Sequence, residues 1–155
     1  LYLNHYRQHM GLSLAMEAPF EGTIRENITF GDSNVSDRDI LEALDQVGLT
    51  SFIQEQPKGL STILHPEGKQ ISYTVSKKLV LARAIAKHPK LLILEDPLDH
   101  FSPKESRRLI DFLTHKDRPW SLVVVSDNLY WEEHCHQVVV LDRGKILETK
   151  SQGSC

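Results

Sequence analysis

Only two cysteines occur in this 155-residue chain, Cys135 within Glu-Glu-His-Cys-His and Cys155 at the last position. That scarcity rules out a disulfide framework; both are expected as free thiols in a reducing compartment. Long apolar runs are absent as well. Leu91 to Leu94 and two valine-rich segments are the longest, far below the roughly 18 to 20 residues that span a bilayer. No charge of one sign dominates: 18 basic and 21 acidic residues leave a net −3. Such a balance sets up no field to gather nucleic acid or an anionic membrane, so any phosphate recognition must be local. The phosphate-cradling pattern GxxxxGKS or GxxxxGKT is missing, because Gly68-Lys69 and Gly144-Lys145 lack both the earlier Gly and the following Ser or Thr. No internal repeat, low-complexity segment or signal peptide is present, and the chain starts at Leu1 with an element already under way, as expected of a piece of a longer protein.

What is present suits one globular domain with its own core, at 40% hydrophobic and 25% charged residues. Ser36 is placed to cap a helix whose apolar face carries Ile40, Leu41, Leu44 and Val47, ended by Gly48. A Gly- and Pro-rich loop leads to a second helix over about 74–87, with Val75, Leu79, Ala82 and Ile85 or Ala86 on its apolar face and His88-Pro89 as its stop. Leu91 to Leu94, Leu122 to Val125 and Val138 to Leu141 are short β-branched runs without alternation, as expected of parallel strands covered on both faces. Between the first two, Ser102, Pro103 and Glu105 mark a capping box ahead of Leu109, Ile110, Phe112 and Leu113, a crossover helix. The pattern is α/β in three layers, with a mainly helical unit at 36–88.

The strand Leu91 to Leu94 runs into two adjacent carboxylates, Glu95 and Asp96, either an arrangement for a metal-bound phosphate or a strand end with two solvated acids. Ser72 or Thr74 is placed to cap the following helix. Lys77, Lys78, Arg83 and Lys87 form a basic face on it, solvated or turned to a nucleotide or neighbouring subunit. His134, Cys135 and His136, with Glu132 and Glu133, are possible metal ligands, but adjacent positions rarely converge on one ion and a solvated loop edge accounts for them better. Trp120 and Trp131 flank the same edge, for packing or for contact.

Taken in order, FEGTIRENITFGD (Phe20 to Asp32), QPKGLST (Gln56 to Thr62), LARA with Arg83, LLILED, VVVSDN and VVVLDRGKILE resemble the nucleotide-binding domain of ABC transporters, exporters above all, over roughly residues 1 to 148. The resemblance implies an α/β three-layer P-loop NTPase core (ABC ATPase-like) with a mainly helical subdomain. Residues 1–35 would be core and glutamine-loop region, 36–88 the helical subdomain and 89–155 the returning core. The phosphate loop would lie N-terminal to Leu1, since LYLNHYRQHMG looks like the segment that follows it.

By the same resemblance, Glu95 takes the place of the Asp that orients hydrated Mg²⁺, and Asp96 that of the Glu that polarises the attacking water. The order is transposed, which shortens the base and lengthens the metal ligand. Ser72, Tyr73 and Thr74 stand at the signature position, where Tyr73 and Thr74 replace two glycines that would let backbone approach a phosphate held by the opposite subunit. Ala15 replaces a glutamine that contacts water and metal, Asp127 replaces a histidine that contacts the terminal phosphate, and DHFS (Asp99 to Ser102) departs from the usual SALD. A carboxylate at 127 repels a triphosphate.

The implied cofactors are ATP and Mg²⁺, and the implied partners are a second nucleotide-binding domain and a transmembrane domain, at the cytoplasmic face of a membrane. The region 15–20 and the loop 62–68 would face the transmembrane part. The first functional expectation is an ATPase domain portion that couples nucleotide binding to export; the alternative is a non-hydrolysing docking or regulatory half, favoured by the joint changes at Ala15, Tyr73, Thr74, Asp96 and Asp127. An uncovered sheet edge or apolar face is expected to drive self-association.

Overall fold

A computed structural model describes residues 3–66 and 70–151. Leu1, Gly68, Lys69 and Cys155 lie outside the described residues. After α1 (Leu3–Gln8) and β1 (Met10–Ser13), the short β2 (Gly22–Thr23) leads directly into α2 (Ile24–Thr29). Thr23 is why α2 starts there: its hydroxyl accepts the Glu26 N–H at 3.1 Å, and the Glu26 carboxylate accepts the Thr23 N–H at 2.7 Å. Ser36 and Asp39 form the same reciprocal box at the head of α3 (Asp37–Gln46). Next come α4 (Thr50–Gln54) and β3 (Ile63–Leu64), the latter antiparallel to β2.

The central helix is α5 (Tyr73–Ile85), which packs against β1, α2 and α3. Leu79, Val80, Leu81 and Ala82 have no exposed surface, so this helix is buried all round at mid-length. Its crossing over β1 is close enough that a Cβ added to Gly11 would stand 2.3 Å from the Ala84 carbonyl oxygen. Next to Ala84 at that crossing, Arg83 donates to the Asn27 carbonyl at 2.7 Å and to the Asn27 side-chain oxygen at 3.2 Å. Asn27, with no exposed surface, also bonds the backbone N–H and carbonyl of Phe20 at 2.9 and 3.0 Å. The guanidinium lies 5.6 Å from the Phe20 ring and 5.1 Å from the Phe30 ring. Segment 20–30 is thereby tied to α5.

β4 (Leu91–Glu95) is the middle strand of a parallel sheet, between β1 and β5 (Ser121–Val125), with Leu12 opposite Ile93 and Ile93 opposite Val123. The crossover from β4 to β5 is α6 (Pro103–Thr114), which contributes Leu109, Ile110 and Leu113 to the core. Strand alternation puts Ser13, Leu92 and Leu94 in the core, while Leu12, Val123 and Val125 on the opposite face are exposed.

Several expectations change. Val138 to Leu141 is not a covered parallel strand: β6 (Gln137–Asp142) pairs antiparallel with β7 (Lys145–Ser151) and is largely exposed. The cause is the turn at Arg143 and Gly144, both at positive φ (46° and 76°), which sends the chain straight back on itself. β5 is covered on one face only. Leu41, expected in the core, is exposed, and Ala43 is buried instead. Lys77 and Lys78 are buried, not solvated, because α5 has neighbours on every side; Lys78 pairs with Glu105 at 2.7 Å. The Glu105 carboxylate accepts from Lys78 and from the Ser102 hydroxyl at 3.3 Å, and Ser102 caps α6 through the Glu105 N–H at 3.3 Å without the reciprocal backbone bond expected. Trp131 is buried, and the Trp120 indole donates to the Leu113 carbonyl at 2.9 Å, so both pack inward. His134 bonds the Tyr130 carbonyl at 3.0 Å and approaches Asp111 at 3.2 Å, and the loop gathers no set of metal ligands among the described residues.

Gly11→Ala is expected to lower stability by about 1–3 kcal/mol, because the clash is with backbone and α5 must lift off β1. The denaturation midpoint measures this; an unchanged midpoint contradicts the close crossing.

Candidate functional site

Parallel α/β sheets place their ligand crevice outside the carboxyl ends of the strands. Here those ends carry acid. Glu95 is the last residue of β4, Asp96 follows it, Asp99 lies on the next turn and Asp127 comes two residues after β5. Asp96 sits at φ 41°, and its N–H donates to the Val125 carbonyl at 2.9 Å, which clamps the turn to the end of β5. His100 also adopts positive φ, 62°. Two left-handed residues other than glycine within one short turn are held by the surrounding structure. A cleft of about 670 Å³ opens beside this turn, lined by Asp96, Asp99, His100, Arg107, Asp127 and Tyr130 among others.

Burial pushes the Asp96 carboxyl above its ordinary value, and the negative charges of Asp127, Asp99 and Glu95 push it further, against the opposing charge of Lys77. Two of the anticipated positions, Asp96 and Asp127, therefore face one cleft. Glu95 turns elsewhere: it accepts the Ala15 backbone N–H at 3.1 Å. The Ala15 carbonyl accepts a hydrogen bond from the Lys77 ammonium. A chain of contacts thus runs from α5 through the segment after β1 to the end of β4.

The signature position splits three ways. Ser72 caps α5 by accepting the Val75 N–H at 3.2 Å. Tyr73 is half-exposed, meets the His100 ring edge-on at 5.5 Å and has the Lys77 ammonium 5.6 Å from its ring centre. Burial and the charges of Asp99 and Asp96 raise its hydroxyl pKa. None of Ser72, Tyr73 and Thr74 lines the cleft itself. Lys77, expected on a basic face either solvated or turned to a nucleotide or neighbouring subunit, instead turns inward to the Ala15 carbonyl, because tertiary packing buries it. Asp99 and His100 sit in the departed DHFS segment, and that departure was the available signal.

Oxygen ligands of this hard kind suit Mg²⁺ in principle. The described residues do not form a complete site by themselves: no three His, Cys, Asp or Glu side chains stand close enough to share an ion, and Glu95 is engaged with Ala15.

No protein-family model matches the chain. It is 30% identical to ABC transporter B family member 16 of Arabidopsis thaliana over 99% of its own length, and 34% identical to the ABC-type transporter fsqE of Aspergillus fumigatus over 94%. The ABC transporter ATP-binding protein YfiC of Bacillus subtilis is 31% identical over 94% of the chain. The chain spans 13%, 12% and 24% of the lengths of these three relatives. In fold it is similar to a bacterial Atm1-family ABC exporter solved with ATP bound, at a TM-score of 0.83 and 20% identity, covering 94% of this chain and 25% of that one.

Asp96→Asn is expected to stabilise the fold at neutral pH by less than about 1 kcal/mol, since it removes a charge from a like-charged cluster and Asn accepts positive φ readily. With its carboxyl raised in the folded state, Asp96 costs stability at neutral pH, and that cost is relieved as pH falls through the raised value. The gain in Tm should therefore be present at pH 7 and vanish in acid; an equal gain at both would assign it to shape rather than charge.

Proposed function

The homologues of this chain are ABC transporters and its fold is that of part of an exporter-type nucleotide-binding domain, and on that premise we propose that it is a docking and coupling half that does not hydrolyse ATP. The observation that carries the reading is the carboxylate wall of the cleft. Asp96, Asp99, Asp127 and Glu133 line one opening against one guanidinium, that of Arg107, and a triphosphate entering it without a shielding cation meets net repulsion. The shortened acid at 96 adds to this: misplacing a general base puts roughly 10² to 10⁴ in rate at risk. What the chain keeps is scaffolding, the Arg83 and Asn27 tie and the link from Lys77 through Ala15 to Glu95, which holds the segment entering 15–20 in one place.

In this role the domain pairs with a second nucleotide-binding domain and passes that partner's movement to a transmembrane part, working at the cytoplasmic face of the membrane. No helix among the described residues is long and apolar enough to cross a membrane. Residues 15–20 and the described part of the loop at 62–66 would form the face toward the transmembrane part. A second reading, ATP hydrolysis at this site, is favoured by the acid pair Glu95 and Asp96 at the strand end. ABC ATP-binding relatives make ATP and Mg²⁺ the ligands to test.

ATP binding and turnover, measured on a chain extended with a phosphate-binding loop N-terminal to Leu1, separate the two readings. The docking reading expects no turnover unless Asp96→Glu and Asp127→His are introduced together. Turnover by the unsubstituted chain sinks it.

The uncovered sheet face suggests a second association. Leu12, Val123 and Val125 form an exposed apolar patch, and the β5 edge, Ser-Leu-Val-Val-Val, carries neither charge nor proline to discourage pairing. The isolated 155-residue chain is expected to sediment as a dimer of two copies joined across this face, with Val123→Lys returning it to monomer. A wild-type monomer that binds no hydrophobic dye argues against such pairing.

A further inference from the structure

His134 is set between two oxygens that can only accept. Its Nδ1 lies 3.0 Å from the Tyr130 backbone carbonyl and its Nε2 lies 3.2 Å from an Asp111 carboxylate oxygen on α6. A neutral imidazole carries one N–H, so one nitrogen would turn its lone pair toward an oxygen; only the imidazolium donates at both ends. The same Asp111 oxygen accepts the Tyr130 hydroxyl at 3.0 Å, and the Tyr130 and His134 rings stand 4.5 Å apart. That bond to Asp111 raises the Tyr130 hydroxyl above its ordinary value and keeps it a donor. The other charged groups around the turn are Arg107 of α6, whose guanidinium lies 5.4 Å from the Tyr130 ring centre, Glu133, and Glu132, which Lys150 of β7 meets at 3.6 Å. Among the described residues, His134 has its ion pair with Asp111.

We propose that His134 is a proton-operated latch on the cleft wall: as the imidazolium it fastens the turn 129–134 to α6, and on losing its proton it gives up one of its two attachments. With the remaining proton on Nδ1 the bond to Asp111 goes; with it on Nε2 the bond to the Tyr130 carbonyl goes. The turn matters to the cleft because Leu129, Tyr130 and Glu133 line it, directly after Asp127 and Asn128. The His134 side chain is 28% exposed, so solvent protons reach it. The attachment is complete in mild acid and is lost as pH rises, the reverse of loosening by carboxylate protonation. The latch acts on the wall and not on what enters, so it stands or falls apart from whether ATP is hydrolysed.

Amide hydrogen exchange on the full 155-residue chain, from about pH 5.5 to about 8.5, where histidine is the ordinary titrating side chain, tests this. The reporters are the amides of Trp131, Glu132, His134 and Cys135, each bonded within the turn. Corrected for the intrinsic rise of exchange with pH, their protection in wild type should fall about tenfold, in step with the His134 ring-nitrogen shifts, while amides of β4 hold theirs. His134→Gln removes the titrating ring and Asp111→Asn the carboxylate, and each should flatten the profile. A flat wild-type profile overturns the proposal, as does a step that follows the titration of another histidine or that survives in Asp111→Asn. Should His134→Gln fail to fold, Asp111→Asn, at a side chain 56% exposed, and the wild-type profile still decide.

Discussion

The close crossing of α5 over β1 is the constraint on which the rest depends. At Gly11 there is no room for a Cβ against the Ala84 carbonyl, so helix and strand are held at backbone distance. Ala15 comes four residues after Gly11, two beyond the end of β1, and Lys77 seven residues back along the helix from Ala84. Those seven helical residues span about 11 Å, and Ala15 and Lys77 meet through a hydrogen bond. The same crossing presents Arg83 to Asn27 on the neighbouring side of the helix. One backbone contact thereby fixes both ends of the segment between β1 and α2, Ala15 at one end and Phe20 at the other.

Local chemistry in the sequence carried much of this. Ser36, Ser72 and Ser102 cap the helices expected of them, and Leu91 to Leu94 and Leu122 to Val125 are the parallel strands expected, because capping and β-branched runs act over a few residues. The order of motifs pointed to the ABC fold, in agreement with relatives that match nearly the whole chain. The Thr23 and Glu26 box was legible and passed over, hidden inside a segment recognised for its likeness rather than its capping.

The remainder was not local. Whether Lys77 is solvated depends on what stands around α5, not on its own four-carbon stem. Nothing within Val138 to Leu141 distinguishes an interior parallel strand from one arm of a hairpin; the difference lies two residues on, in backbone angles at Arg143 and Gly144. At the site, the transposed Glu95 and Asp96 were visible as letters, but their divergence was not. One turns back to hold Ala15 and the other faces Asp127 across a cleft, a consequence of strand alternation combined with the left-handed turn at Asp96.

The contact from Ala15 to Glu95 joins residues 80 apart in the chain, and the pairing of β1 with β4 joins segments equally distant. Protein synthesis imposes an order on that: β1 leaves the ribosome long before β4, its neighbour among the described strands, exists. At roughly 5–20 residues per second the delay is about 4–16 s, very long beside the microseconds in which helices such as α3 settle. Throughout that interval Leu12 has no β4 to join, and it is open to chaperones or to strands of a neighbouring nascent chain. The timing of translation across α3 to α5 is thus part of what determines how much of this protein reaches its sheet.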